Sequence, residues 1–180
     1  MEQTKSEQTV VNQTGVSLQI GDITDLEVDA FVFYAEHSLK VGTGFGTAIS
    51  TRGGPTIQKE LDELAPLATG EVVVTEAGKL KAKHIVHAVG PRFQEEDIES
   101  KLRTTVTNSL IAADSKQIKI LAMPAMGAGF YGIPLPDCAR IMIETIKGHL
   151  EGSTGIKEVI LCVLDSREYG PFKAAFAKLA

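Results

Sequence analysis

The sequence predicts an α/β protein with helices on both sides of a largely parallel sheet. Short apolar runs rich in β-branched residues alternate with stretches of helical period, and glycine-rich loops follow two of the runs. A length of 180 residues suits one domain with a full core, and 43% hydrophobic with 23% charged residues is an ordinary globular balance.

Residues 1–8, rich in Glu, Gln, Thr, Ser and Lys, are expected to form a flexible tail, and residues 9–180 the domain. Val10 to Gln13 and Val16 to Ile20 read as short strands around the turn-like Gln13-Thr14-Gly15. After Gly21-Asp22-Ile23-Thr24-Asp25, the run Val28 to Tyr34 is apolar and short enough to be a buried strand. Glu36 to Gly46 is then the loop at its carboxyl end. A helix follows from Thr47, breaks at Gly53-Gly54-Pro55 and resumes as Ile57 to Leu64, where Ile57, Leu61 and Leu64 keep helical spacing. Glu71 to Thr75 and His84 to Val89 are strand-like, with Gly78 between them. Glu96 to Ala113 places Ile98, Leu102, Val106, Leu110 and Ala113 on one helical face. The apolar run through Ile118, Ile120 and Leu121 enters a second glycine loop, Gly127-Ala128-Gly129-Phe130-Tyr131-Gly132. A helix from Asp137 to Leu150, a strand from Glu158 to Leu164 and a helix from Pro171 to Leu179 complete the chain.

In open sheets of this class, ligands sit outside the carboxyl ends of the strands. Asp22, the loop Glu36 to Gly46, the loop Gly127 to Gly132 and Leu164-Asp165-Ser166 all fall there. Two facing glycine loops would cradle a diphosphate through backbone N–H groups, and Asp22 would accept hydrogen bonds from an amino or hydroxyl group. Gly-Asp before Ile-Thr suits a turn or helix cap equally well.

Other functions are disfavoured. A formal net charge of −5 with no basic run argues against nucleic-acid binding. No apolar run reaches the length of a membrane span, and the polar opening Met1 to Gln13 lacks a signal peptide's apolar stretch, so a cytoplasmic location is expected. Cys138 and Cys162 stand in no metal or redox spacing and are expected to be buried and reduced. His84-x-x-His87 on a strand points to opposite faces, which disfavours a shared metal. Glu95-Glu96-Asp97 reads as a solvated helix start rather than a carboxylate pair. His37 suits an exposed loop position better than acid–base chemistry. Neither glycine loop is followed by a Walker lysine. As a dinucleotide fingerprint Gly127-x-Gly129-x-x-Gly132 fits poorly, because Pro134 and Pro136 delay the helix and no acidic residue ends a strand about twenty residues later. A nicotinamide-dependent oxidoreductase is therefore the least favoured reading, and neither cofactor nor metal is expected.

From Gly21 to Leu179 the chain resembles the macro domain family. Gly21-Asp22-Ile23-Thr24 with Val28-Asp29-Ala30 is similar to that family's opening signature. Gly42-x-Gly44-Phe45-Gly46-x-Ala48-Ile49 with Gly53-Gly54-Pro55 is similar to its first phosphate loop and following helix. Gly70-Glu71 with Thr75, and His87-Ala88-Val89-Gly90-Pro91, match its middle strands, and Pro124-Ala125-x-Gly127-x-Gly129-Phe130-Tyr131-Gly132-x-Pro134 matches its second loop. The resemblance implies a three-layer α/β/α sandwich with a mostly parallel mixed sheet, binding ADP-ribose or a related ADP-ribosyl derivative, free or on a protein. It implies that Asp22 meets the adenine amino group and that Ile23 contributes its N–H. By the same carry-over Gly42, Gly44, Phe45 and Gly46 hold phosphate together with Gly127, Ala128 and Gly129. Phe130 and Tyr131 would lie against the distal ribose, and Leu164 and Asp165 would border the adenine.

The chain departs from the family where function is most exposed. Phe33-Tyr34-Ala35-Glu36 replaces the usual Asn-Ala-Ala-Asn, so Glu36 stands where an Asn contacts the distal ribose and, in hydrolytic members, is tied to catalysis. Gly46 occupies the place of an acid often found in those members, and Leu164 that of an aromatic that stacks on adenine. The pattern favours a binding module. The alternative is an ADP-ribosyl or O-acetyl-ADP-ribose hydrolase that uses Glu36 or a bound water.

Overall fold

The computed structural model describes residues 6–42 and 44–179, except for the side chain of Phe45. Along them run β1 (Ser6–Val11), β2 (Thr14–Ile20), β3 (Ala30–Ala35), α1 (Phe45–Gly53), α2 (Thr56–Leu64), β4 (Val72–Glu76) and β5 (His84–Val89). α3 (Ile98–Ser115), β6 (Ile120–Met123), α4 (Leu135–Glu151), β7 (Glu158–Val163) and α5 (Ser166–Phe176) follow. The strands form one mixed sheet in the order β1-β2-β7-β6-β3-β5-β4. The five inner strands are mutually parallel, while β1 and β4 pair antiparallel at the two edges.

Strand alternation makes the three layers. On β3, Ala30, Val32 and Tyr34 face a core closed by α3, α4 and α5, where Leu102, Leu110, Ile143 and Phe172 are buried. Phe31 and Ala35 face the other way, onto a smaller core with Ile49 of α1 and with Ile57 and Leu61 of α2. Helices cover both faces of the inner strands, so these strands read in the sequence as nearly continuous apolar runs.

Two adjacent inner strands position the site. The chain leaves β3 through α1 and α2 toward the β5–β4 edge, and leaves β6 through α4 toward the β7–β2–β1 edge. The connections diverge at their carboxyl ends and open a crevice there.

Element boundaries differ from the sequence reading in three informative places. β1 extends back to Ser6, into the expected tail; residues 1–5 of that tail lie outside the described residues. The hairpin turn is Asn12-Gln13 rather than Gln13-Thr14-Gly15, since Val11 pairs with Thr14 and Asn12 takes a positive φ of 56°. α5 begins at Ser166, five residues before the expected Pro171, because the Asp165 side chain accepts from the N–H groups of Arg167 (2.9 Å) and Glu168 (3.2 Å). Pro171 lies inside that helix.

His84 is partly exposed and His87 fully buried, and strand alternation places them on opposite faces of β5. The Thr75 hydroxyl donates to the Glu76 carbonyl (3.0 Å) and lies 2.9 Å from His87 Nε2, while His87 Nδ1 has no partner. Among the described residues no group of three or more His, Cys, Asp or Glu side chains could hold a metal ion. No helix among them is long and apolar enough to cross a membrane.

Burial pushes the His87 pKa down to about 3. The unfolded chain, with histidine near 6.5, therefore binds an extra proton between these values. The His87 contribution to stability should be level above pH ~6.5 and fall by about 1.4 kcal/mol per pH unit below it until about 3. Urea titrations of wild type and His87→Leu from pH 7 to 4.5 check this: the wild-type decline should flatten in the variant.

Candidate functional site

The crevice between β3 and β6 is a cleft of about 520 Å³ at the carboxyl ends of the parallel strands. Its wall runs from Gly21 after β2 and Leu164 after β7, past both glycine loops, to Glu36 after β3. Of the sequence-predicted residues it brings together Ile23, Glu36, Gly44, Gly127, Ala128, Gly129, Phe130, Tyr131 and Leu164.

At the β2–β7 end, Asp22 caps a 3-10 turn, Ile23–Asp25. One carboxylate oxygen accepts from the N–H (2.9 Å) and hydroxyl (2.6 Å) of Thr24, and the other meets the Arg52 guanidinium at 2.9 Å. Partial burial acts against ionisation, but the Thr24 and Arg52 hydrogen bonds outweigh it and hold the pKa below the usual carboxylate value. Asp22 thus serves the turn and is not itself on the cleft wall, which its neighbours Gly21, Ile23 and Thr24 line. Arg52, in the last turn of α1, carried no signal in the sequence because only the fold brings it to Asp22. Asp165 is turned to its cap on α5, whereas Glu168, 5% exposed, faces the cleft and accepts the Leu164 N–H at 2.8 Å. Cys162 lies on the cleft floor, and burial, foremost, pushes its thiol up to about 11, so it is a neutral wall.

In the first loop, Gly44 at φ 57° begins α1 with no side-chain cap. The first N–H groups of that helix therefore have no partner in the helix. Gly46 turns inward: a Cβ there would stand 2.8 Å from the Val41 backbone. Gly42 is exposed and its carbonyl accepts the Thr47 hydroxyl at 3.3 Å, while Thr43 lies outside the described residues. Gln58 of α2 fixes the loop by accepting Val41 N–H (3.0 Å) and donating to the Leu39 carbonyl (3.1 Å).

In the second loop, Gly127 (φ 84°) packs where a Cβ would meet Ile133 at 2.3 Å, and Gly129 (φ 68°) has open space beyond its Cα. The 3-10 turn Gly129–Tyr131 starts, like α1, without a side-chain cap. The loop is anchored beneath by Met126, whose carbonyl accepts the Cys138 thiol at 2.8 Å.

At the β3 end, Glu36 is exposed on the cleft wall. Tyr131 is partly buried against Tyr34, with ring centroids 4.4 Å apart, and Phe130 meets Tyr131 edge-on at 5.4 Å while remaining 87% exposed. Burial, then the Glu36 charge, raises the Tyr131 pKa. The Tyr34 hydroxyl donates to the Pro91 carbonyl at 2.6 Å, and burial raises its pKa strongly. His37 is not part of the cleft wall. Its Nε2 is 3.2 Å from the Thr69 hydroxyl, which also bonds Glu95 at 3.2 Å. Glu95 is no merely solvated helix start, since it also accepts the Arg92 N–H (2.7 Å) and Lys101 Nζ (3.0 Å).

This cleft and its sheet define a macro-type α/β fold, and sequence comparison agrees. The chain belongs to the Macro domain family, whose model matches residues 34–142. An uncharacterized protein of Saccharolobus solfataricus is 44% identical over 160 residues, covering 87% of this chain and 89% of the relative. A macro domain-containing protein of Caldanaerobacter subterraneus is 38% identical over 170 residues, covering 91% and 97%. Among solved structures, the Oceanobacillus iheyensis macrodomain with ADP superposes at a TM-score of 0.93 with 26% identity, covering 99% of this chain and 98% of that one. A variant of the same macrodomain with ADPR gives 0.91 and 27%, covering 97% and 98%.

The missing acid at Gly46 has a steric side. Because a Cβ there meets backbone rather than a movable side chain, Gly46→Asp should cost about 1–3 kcal/mol. That is a drop in Tm of several degrees, at roughly 2–4 °C per kcal/mol for a chain of this size. A melt unchanged from wild type would show that the Val41 segment gives way freely.

Proposed function

We propose that this chain binds ADP-ribose, free or attached to a protein, without turning it over. The observation that carries the reading is one cleft in a macro domain walled by two glycine loops, the first of which opens α1 at Gly44 with no side-chain cap. The α1 start offers backbone N–H groups to an anion, and Gly127, Ala128 and Gly129 bring the backbone of the second loop to the same wall. Two such loops suit a diphosphate, and the neighbouring macrodomain is solved with ADP and with ADPR.

The other groups then fall into place along the cleft. The Asp22 carboxylate accepts two hydrogen bonds on one oxygen and faces the Arg52 guanidinium with the other, which leaves acceptor capacity for an adenine amino group beside the Ile23 N–H. Leu164, 46% exposed, borders the base with less contact than an aromatic would give, and Asp165 supports that edge from the α5 cap. Gly42, Phe45 and Gly46 shape the first loop, with Gly44 at the phosphates, while Gly127, Ala128 and Gly129 supply the second. Phe130 and Tyr131 flank the distal ribose, and Glu36 accepts its hydroxyls in place of an amide. Binding without hydrolysis agrees with the steric closure at Gly46. Glu36 is the group on which a hydrolytic reading would rest, and release of ADP-ribose from a modified protein by wild type but not by Glu36→Gln would favour it.

Calorimetric titration and thermal melting with ADP-ribose test the reading. If the Kd is about 1 μM, roughly 8 kcal/mol, millimolar ligand should add about 4 kcal/mol of stability. No heat and no Tm shift at that concentration would sink the proposal. Gly129→Val should abolish the shift while the protein still melts cooperatively, because a β-branched residue at φ 68° projects into open space rather than into the protein. Near-normal affinity in that variant would move the phosphates elsewhere.

A further inference from the structure

We infer that the ligand preferred by this cleft carries a planar cation on the distal ribose: an ADP-ribosyl group N-linked to a guanidinium or a pyridinium rather than ADP-ribose itself. The inference rests on the reading above and names the ligand class of that same site.

The first support is an unpaired charge. Among the described residues no lysine or arginine pairs with Glu36, whose carboxylate accepts the Ser38 hydroxyl at 3.5 Å. Of the cations nearby, Lys40 on the cleft wall is engaged with Asp62 at 3.0 Å, and Arg92, just past the β5 strand that pairs with β3, makes no ion pair with Glu36. The contrast with the base end is direct, because there Arg52 neutralises Asp22. A bare carboxylate in a cleft that holds a diphosphate adds repulsion that an amide would avoid. A ligand that brings its own positive charge to this point turns the repulsion into attraction.

The second support is aromatic and independent of charge. Phe130 touches Tyr131 edge-on and remains 87% exposed, and Phe93, 60% exposed, lies against Gly132 of the same loop. With bases at the Asp22 end and phosphates at the loops, the distal ribose comes to lie between Glu36 and these rings. Its outward substituent then leaves between a carboxylate and open ring faces. A planar, weakly hydrated cation suits both, by ion pairing on one side and cation–π stacking on the other. A compact ammonium would use only the first.

Two sources supply this chemistry: an ADP-ribosylated arginine side chain, and the oxidised nicotinamide dinucleotide. Calorimetry with ADP-ribose, NAD⁺ and an ADP-ribosyl-arginine peptide, on wild type and Glu36→Gln, tests the inference. Wild type should bind at least one cationic ligand about two- to fivefold more tightly than ADP-ribose, the worth of one exposed ion pair, and the margin should shrink as salt rises. Glu36→Gln should tighten ADP-ribose and weaken the cationic ligand, so the preference disappears. Phe130→Leu should reduce the preference while keeping the apolar contact. Preference for NAD⁺ alone identifies the dinucleotide as source, and preference for the peptide alone identifies arginine. If ADP-ribose binds and neither cationic ligand binds more tightly, or if Glu36→Gln moves all three ligands equally, the inference is overturned while ADP-ribose binding stands. If none of the three binds, both readings fall.

Discussion

The parallel pairing of β3 with β6 is the constraint on which the rest of the site depends. Ala30 lies opposite Leu121 and Phe31 opposite Ala122, so both strands deliver their carboxyl ends to one place. Because their helical connections depart to opposite faces and opposite edges, no chain covers the gap between those ends. The loops that line the gap must make sharp turns beside a ligand, and glycine is the residue that permits them at φ 57°, 84° and 68° for Gly44, Gly127 and Gly129. At Gly44 glycine also leaves the start of α1 without a side-chain cap. One topological fact thus makes the cavity and calls for glycine along its walls.

The loops are held from behind by groups that never touch the cleft. Gln58 fixes Leu39 and Val41 on one side, while Cys138 and Met142 fix Met126 on the other. The Asp29 carboxylate accepts the N–H groups of Lys119 and Ile120 at 3.0 and 2.9 Å and so ties the entry to β3 to the entry to β6. That clasp sits at the opposite end of the strands from the cleft and helps set the register of the pair.

The layers and most elements were legible because periodicity and apolar runs are written locally. The two glycine loops were legible for the same reason, since their spacing is contiguous in the chain. What escaped was made by residues distant in sequence. Arg52 reaches Asp22 only because α1 folds over the end of β2, and the Thr69 hydroxyl draws His37 away from the cleft that its neighbour Glu36 lines. The start of α5 was obscured differently: Pro171 looked like a first-turn proline, yet the Asp165 cap had already begun the helix. Gly46 read as a missing acid, and the nearby Val41 backbone adds a reason that spacing does not contain.

The electrostatics of the cleft then follow from what is paired and what is not. With a formal net charge of −5 the chain has few cations to spend on phosphate. The cationic residues on the wall are Lys40, already paired with Asp62, and Arg167, with Asp165 at 3.7 Å. On the proposed reading, phosphate recognition is left to backbone dipoles, which are fixed in place and carry no net charge. In such a cleft each uncompensated carboxylate weighs more than it would among lysines. Asp22 is compensated by Arg52, so on the proposed reading the base end would accept an amino group without repelling the diphosphate. Glu36 has no such partner, and its charge already reaches Tyr131, whose pKa it helps to raise. On the proposed reading, selectivity is therefore concentrated at the β3 end, where Glu36 would meet the distal group.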